Sequence, residues 1–272
     1  MAGARWIANY VESKKWRAGP GRDRVMIVSE SIMRGLSKTK AFLDAPRREW
    51  QFDAFAWLLR NCGGYAKFLE TTLVLPTEDH FPDRGMKGHA AVAALFRQVR
   101  DHAGMADWPC VVEPRPDAEP MLTIGEDRIP VITYRPDETD QTVLVATFAR
   151  ELARYLVETF DEIPPGGEAL REQSIDIAAV FLGFGVFMAN SKLSSARHAL
   201  NEGEFANALA LFCLLRKVDP ESIDAHLNPH LRKYVRLAAC DLVQHEIRFR
   251  ELRSAFAAPS VDSAEQTRPS AR

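Results

Sequence analysis

The chain has 272 residues, with 46% hydrophobic and 26% charged side chains, which suits a globular protein of one large domain or two small ones. Its net charge of −2 gives no basic field of the kind nucleic-acid binding requires. The four cysteines, Cys62, Cys110, Cys213 and Cys240, form no CxxC pair. This spacing argues against a zinc ribbon or a thioredoxin-like site and points to buried free thiols.

The N-terminal stretch has no uninterrupted apolar run, so no secretory signal is expected and a cytoplasmic location follows. A short helix is predicted over 5–16 within an extension spanning 1–24. Trp6, Ile7, Tyr10 and Val11 share one face, beside basic Arg5, Lys14 and Lys15. That face suits packing on the protein's own body or, alternatively, a membrane surface or partner helix. A second helix is expected over 25–45, opening a single domain that runs to residue 253. Phe55, Leu58 and Leu59 mark a helix over 53–61, stopped by Gly63 and Gly64. A further helical turn is expected over 65–70, then an extended piece ending on Pro76. A helix over 90–102 buries Val92, Leu95, Phe96 and Val99.

Three short β-type runs follow at 110–113, 121–124 and 129–134, divided by turn-type residues at 114–117 and 125–127. A helix over 147–160 comes directly after them. The expected fold is therefore α+β and mostly helical, with a small three-stranded sheet packed by that helix. After a break at 164–167, a long buried helix is predicted over 168–190, with Ile175, Ala178, Ala179, Leu182 and Val186 inward. Its apolar run at 177–189 counts about 13 residues, short of the roughly 20 that span a membrane. No transmembrane segment is expected. Gly183 and Gly185 each cost ~1 kcal/mol relative to alanine, which close approach of another helix would explain. Helices over 205–218 and 231–256 complete a C-terminal bundle. The polar tail, 257–272, is expected to be disordered.

The helix over 147–160 contains Arg150-Glu151-Leu152-Ala153-Arg154. With histidine at both arginine positions it would read H-E-L-A-H. In that motif residues i and i+4 hold one zinc ion and the glutamate activates a bound water. Arginine has five N–H donors, no lone pair and a pKa too high to lose its proton. It cannot serve as such a ligand, and no metal or other cofactor is expected. Seven histidines are scattered through the chain. His226 and His230 have i, i+4 spacing, but Asn228 and Pro229 between them argue against a regular helix. Phosphate-binding loops, a dinucleotide fingerprint and a serine elbow are absent from the sequence. Residues 200–237 have the flavour of one tetratricopeptide unit, with no second copy.

Several stretches together resemble an uncharacterised bacterial family of zincin-type metallopeptidases. They are 57–82, 96–110, 144–156, 172–190 and 205–212. The most specific is 172–190, EQSIDIAAVFLGFGVFMAN. The resemblance implies that Arg150 and Arg154 stand where that family has its two histidine ligands. It likewise places Glu151 at the general base, and Asp176 or Glu172 at a carboxylate ligand from a later helix. Only the carboxylates survive here. These five residues are thus vestigial metal-site positions, and no catalytic residue is assigned; Glu151 is the candidate base if the protein is active.

Arg150 and Arg154 lie one turn apart and repel unless paired. Glu172 and Asp176 are also one turn apart. If the two helices face each other, the arginines fill the former metal volume and pair with these carboxylates through forked hydrogen bonds. Otherwise Arg154 pairs with Glu158 in solvent. The expected function is a zincin-like pseudo-metallopeptidase acting as a binding or scaffold module for an unidentified protein or peptide partner. The alternatives are an atypical hydrolase using Glu151 and a tetratricopeptide-like helical interaction protein.

Overall fold

The computed structural model describes residues 41–82, 85–116, 121–125, 129–191 and 198–256. The extension over 1–24, most of the helix expected over 25–45 and the tail over 257–272 lie outside these. The first helix, α1 (Ala45–Asn61), starts at a cap: Asp44 accepts a hydrogen bond from Arg47 N at 2.8 Å, and Pro46 stands in the first turn. It begins well before Asp53, where apolar spacing alone placed it, because the cap sets the boundary. Polar contacts tie α1 into the core. Gln51 Nε2 donates to Glu204 O at 3.0 Å, and Asn207 Nδ2 donates to Gln51 Oε1 at 2.8 Å. Gly63, with φ 91°, turns the chain into the short helix α2 (Gly64–Phe68).

After α3 (Gly88–His102) come β1 (Val111–Pro114), β2 (Leu122–Ile124) and β3 (Pro130–Tyr134). They form a mixed sheet in the order β1-β3-β2, with β1 parallel and β2 antiparallel to β3. The central strand β3 is buried along its whole length, so its sequence does not alternate. Helix α4 (Gln141–Glu158) is capped by Asp140, which accepts from Thr142 N at 2.7 Å, and packs against β2 and β3. The fold is α+β and mostly helical, as expected.

Trp50 Nε1 donates to Pro165 O at 2.9 Å and Trp57 Nε1 to Glu162 O at 3.0 Å, while Arg60 and Asn61 hold the Glu162 carboxylate. These bonds pin residues 162–165 against α1. A single 3-10 turn, Gly167–Leu170, then leads into α5 (Arg171–Ala179). The helix expected to be continuous over 168–190 is interrupted by a wide turn at Val180–Phe184 and resumes as α6 (Gly185–Ser191). Gly183 has φ 100°, a Cβ there would overlap the Thr72 carbonyl oxygen, and its own carbonyl accepts from Val74 N at 3.0 Å. An extended segment, not a helix, is what approaches Gly183. At Gly185 the expectation fits: a Cβ would lie 2.8 Å from Leu209 Cδ1, on α7 (Glu202–Arg216).

Gly167–Ser191, 25 residues containing an 18-residue window of mean hydropathy 1.5, is by length and composition alone a candidate membrane span, the one such stretch among the described residues. The count of the uninterrupted apolar run missed it. Its apolar window is 94% buried inside the protein, as for a core helix.

A capping box opens α7: Asn201 Oδ1 accepts from Glu204 N at 3.0 Å, and Glu204 Oε2 accepts from Asn201 N at 2.8 Å. The helix expected over 231–256 is in fact two, α8 (Pro229–Leu242) and α9 (Glu246–Arg253). The chain bends between them so that Phe249 stacks edge-on against Phe52 at 5.6 Å and Arg248 pairs with Glu49 and Asp53. One apolar core runs from Trp50 to Leu252. All four cysteines are free, Cys110 and Cys213 buried and Cys62 and Cys240 half-buried.

Candidate functional site

One-turn spacing places Arg150 and Arg154 on one face of α4, and Glu172 and Asp176 on one face of α5. The two faces meet. Arg150 Nε donates to Asp176 Oδ1 at 2.8 Å and its Nη2 to Glu172 Oε2 at 2.5 Å, while Nη1 reaches Glu151 Oε1 at 3.4 Å. Arg154 Nε donates to Glu151 Oε2 at 3.2 Å, and its Nη1 and Nη2 fork onto Glu172 at 2.8 and 2.9 Å. Arg154 thus turns to Glu151 and Glu172 rather than to Glu158. The cluster is graded in depth. The Asp176 and Glu151 side chains are 0% and 3% exposed, Arg150 8%, Arg154 21% and Glu172 49%.

The two buried carboxylates also receive main-chain donors. Asp176 Oδ2 accepts from Ala199 N at 2.7 Å and Leu200 N at 3.0 Å. Glu151 Oε2 accepts from Leu122 N at 3.0 Å, on the edge strand β2. These donors have no side-chain identity and no fixed spacing, so nothing in the sequence announces them. His198 belongs to the same neighbourhood. Its Nε2 lies 2.9 Å from Ser191 Oγ and its Nδ1 3.8 Å from Asp176 Oδ1. In the sequence His198 is one scattered histidine among seven. The Ser191, His198 and Asp176 side chains do not form a nucleophile site. Ser191 is 1% exposed, its hydroxyl donates to Met188 O at 3.2 Å, and the His198–Asp176 gap exceeds a hydrogen bond.

The electrostatics follow from this pairing. The Arg154 hydrogen bonds, partly opposed by burial and reinforced by Arg150, hold the Glu172 carboxyl down to about 2. Burial works against the Arg150 charge, but Asp176, Glu172 and Glu151 outweigh it and raise its pKa. Glu172 above all raises that of Arg154. Among the described residues, two guanidinium groups face three carboxylates, a formal charge of −1.

No family model, curated protein or solved structure matches this chain. The site therefore rests on its own geometry. Its donor set does not fit a metal ion: the arginines have no lone pair, and they already engage all three carboxylates. Among the described residues no group of three or more histidine, cysteine, aspartate or glutamate side chains is placed to hold one. His226 and His230 belong to no such group among the described residues. The His226 carbonyl accepts from Asn190, and His230 lies on α8 at 3.5 Å from Glu202. Glu151 is poorly placed as a general base, being buried with both oxygens engaged by arginine and one also by Leu122 N. What the arrangement does is clamp α4, α5 and strand β2 together through charge-assisted hydrogen bonds.

Proposed function

We propose that this protein is a zincin-like pseudo-metallopeptidase, a non-catalytic binding or scaffold module for a protein or peptide partner, working in the cytoplasm without nucleic acid. One observation carries the reading. The two arginines that stand at the metal-ligand positions of the resembled motif bind the two carboxylates that stand at the later-helix positions. Two fixed cations held there do the neutralising that a divalent ion would otherwise do. The engagement of Glu151 supports the same reading over the alternative of a hydrolase that uses it as a base.

Elemental analysis of purified wild type beside an Arg150→His/Arg154→His double variant tests this. The expected result is a wild type without stoichiometric zinc and a double variant that takes up about one zinc per chain. Zinc in the wild type would overturn the ligand assignment and return the hydrolase reading. A double variant that stays empty would show that no metal-site geometry lies beneath the arginines.

A further inference from the structure

We propose that Arg150 and Arg154 form a carboxylate receptor whose internal occupant, Glu172, exchanges with a carboxylate of an acidic peptide. This deepens the binding-module reading and rests on it. The hydrogen bonds divide the cluster into a frame and an occupant. Each arginine gives its Nε to a buried carboxylate, Arg150 to Asp176 at 2.8 Å and Arg154 to Glu151 at 3.2 Å. Asp176 and Glu151 are in turn fixed by main-chain donors from Ala199, Leu200 and Leu122. The guanidinium planes are therefore set before anything occupies their outer edges. Those edges converge on Glu172, at 2.5, 2.8 and 2.9 Å. A planar fork held in this way is the geometry that recognises carboxylates.

Glu172 differs from the other two carboxylates. Among the described residues its hydrogen bonds come from the Arg150 and Arg154 guanidinium groups, and its side chain is 49% exposed. It sits in the first turn of α5, so rotation of its own side chain frees the receptor without moving the buried frame. Charge favours exchange over addition. With Glu172 in place the described groups formally carry −1, and a second anion would make that −2, whereas replacement leaves it unchanged. A tethered carboxylate has a high effective concentration. A free small acid competes poorly with it, and a peptide with several acidic groups and contacts beyond the fork competes well.

The test uses the whole 272-residue chain in two measurements. The first follows the melting temperature in acetate against chloride at matched ionic strength, for wild type, Glu172→Ala and Glu172→Ala/Arg154→Ala. The Glu172→Ala protein should gain about 3 °C for each tenfold rise in acetate above its dissociation constant. Wild type and the double variant should not respond. If Glu172→Ala does not fold, Glu172→Gln takes its place. The second measurement titrates hexaglutamate, with hexaglutamine as control, into wild type and follows the arginine Nε–H resonances. Arg150 and Arg154 should move with hexaglutamate alone. A Glu172 variant indifferent to acetate overturns the receptor. Wild-type resonances that ignore hexaglutamate overturn the exchange. Neither result depends on metal content, so this inference and the pseudo-metallopeptidase reading fail separately.

Discussion

Replacing Asp176 by alanine tests how the buried half of the cluster is held. Asp176 is 0% exposed and accepts hydrogen bonds from Arg150 Nε, Ala199 N and Leu200 N. Removing one partner of a buried ion pair costs ~3–5 kcal/mol because the other charge stays desolvated. Each main-chain N–H left without an acceptor adds ~1–3 kcal/mol. The effects share one site and do not add fully, so a loss of ~5 kcal/mol is expected. For a domain of this size that is a fall in melting temperature of ~10–20 °C. Glu172→Ala removes a half-exposed group and should cost only ~1 kcal/mol, or ~2–4 °C, once solvent screening is allowed for. Circular dichroism melts at neutral pH and low salt, with urea titration as a check, read both variants. An Asp176→Ala protein melting within ~3 °C of wild type, or no lower than Glu172→Ala, would refute the account of Asp176 as a buried anchor.

Acid titration should isolate Glu172. Its folded-state pKa is about 2 against an ordinary 4.5, so its contribution is present above pH 4.5 and disappears as pH falls towards 2. Wild type should lose ~1 kcal/mol more than Glu172→Gln over that window, after discounting for exposure; equal losses would contradict the pairing. Gly183→Ala should destabilise the protein by ~3 kcal/mol or more, because φ is 100° and the new methyl group meets the Thr72 carbonyl oxygen. Gly185→Ala meets the ends of Leu209 and Val180 side chains, which can shift, and should cost ~1–3 kcal/mol. Urea unfolding compares the two, and the reverse ranking would mean that the backbone at Gly183 relaxes freely.

Much of the architecture was legible because it follows from periodicity and turn chemistry. The strands lie within a residue of 110–113, 121–124 and 129–134, since turn-type residues bracket β-branched runs there. One-turn spacing made legible that Arg150 and Arg154, and likewise Glu172 and Asp176, share a face of their own helix. That the two faces meet was expected only through the resemblance, with solvent-exposed arginines as the alternative, and it is the hydrogen bonds that bring them together. Apart from the start of α1, which a local cap sets, the main misses share a cause: a contact from a distant part of the chain overrode local pattern. Gly183 looks like a helix residue until segment 71–75 is laid across it. Residues 231–256 look like one helix until Phe249 is drawn onto Phe52. The Ala199, Leu200 and Leu122 N–H groups that complete the site belong to the backbone, which sequence does not label.

The two indoles of α1 give the protein an optical gauge of its own. Trp50 and Trp57 each give their N–H to the loop that leads towards Glu172. Indole emission follows the polarity and hydrogen bonding around the ring, so the natural fluorescence responds to whether that loop is seated. Trp108 stacks edge-on against Tyr155, the residue after Arg154, at 4.8 Å. It thus reports on α4 itself. Ligand arrival at the arginines and loosening of the loop would therefore register on different tryptophans, and single Trp→Phe variants would separate the two signals without a foreign label.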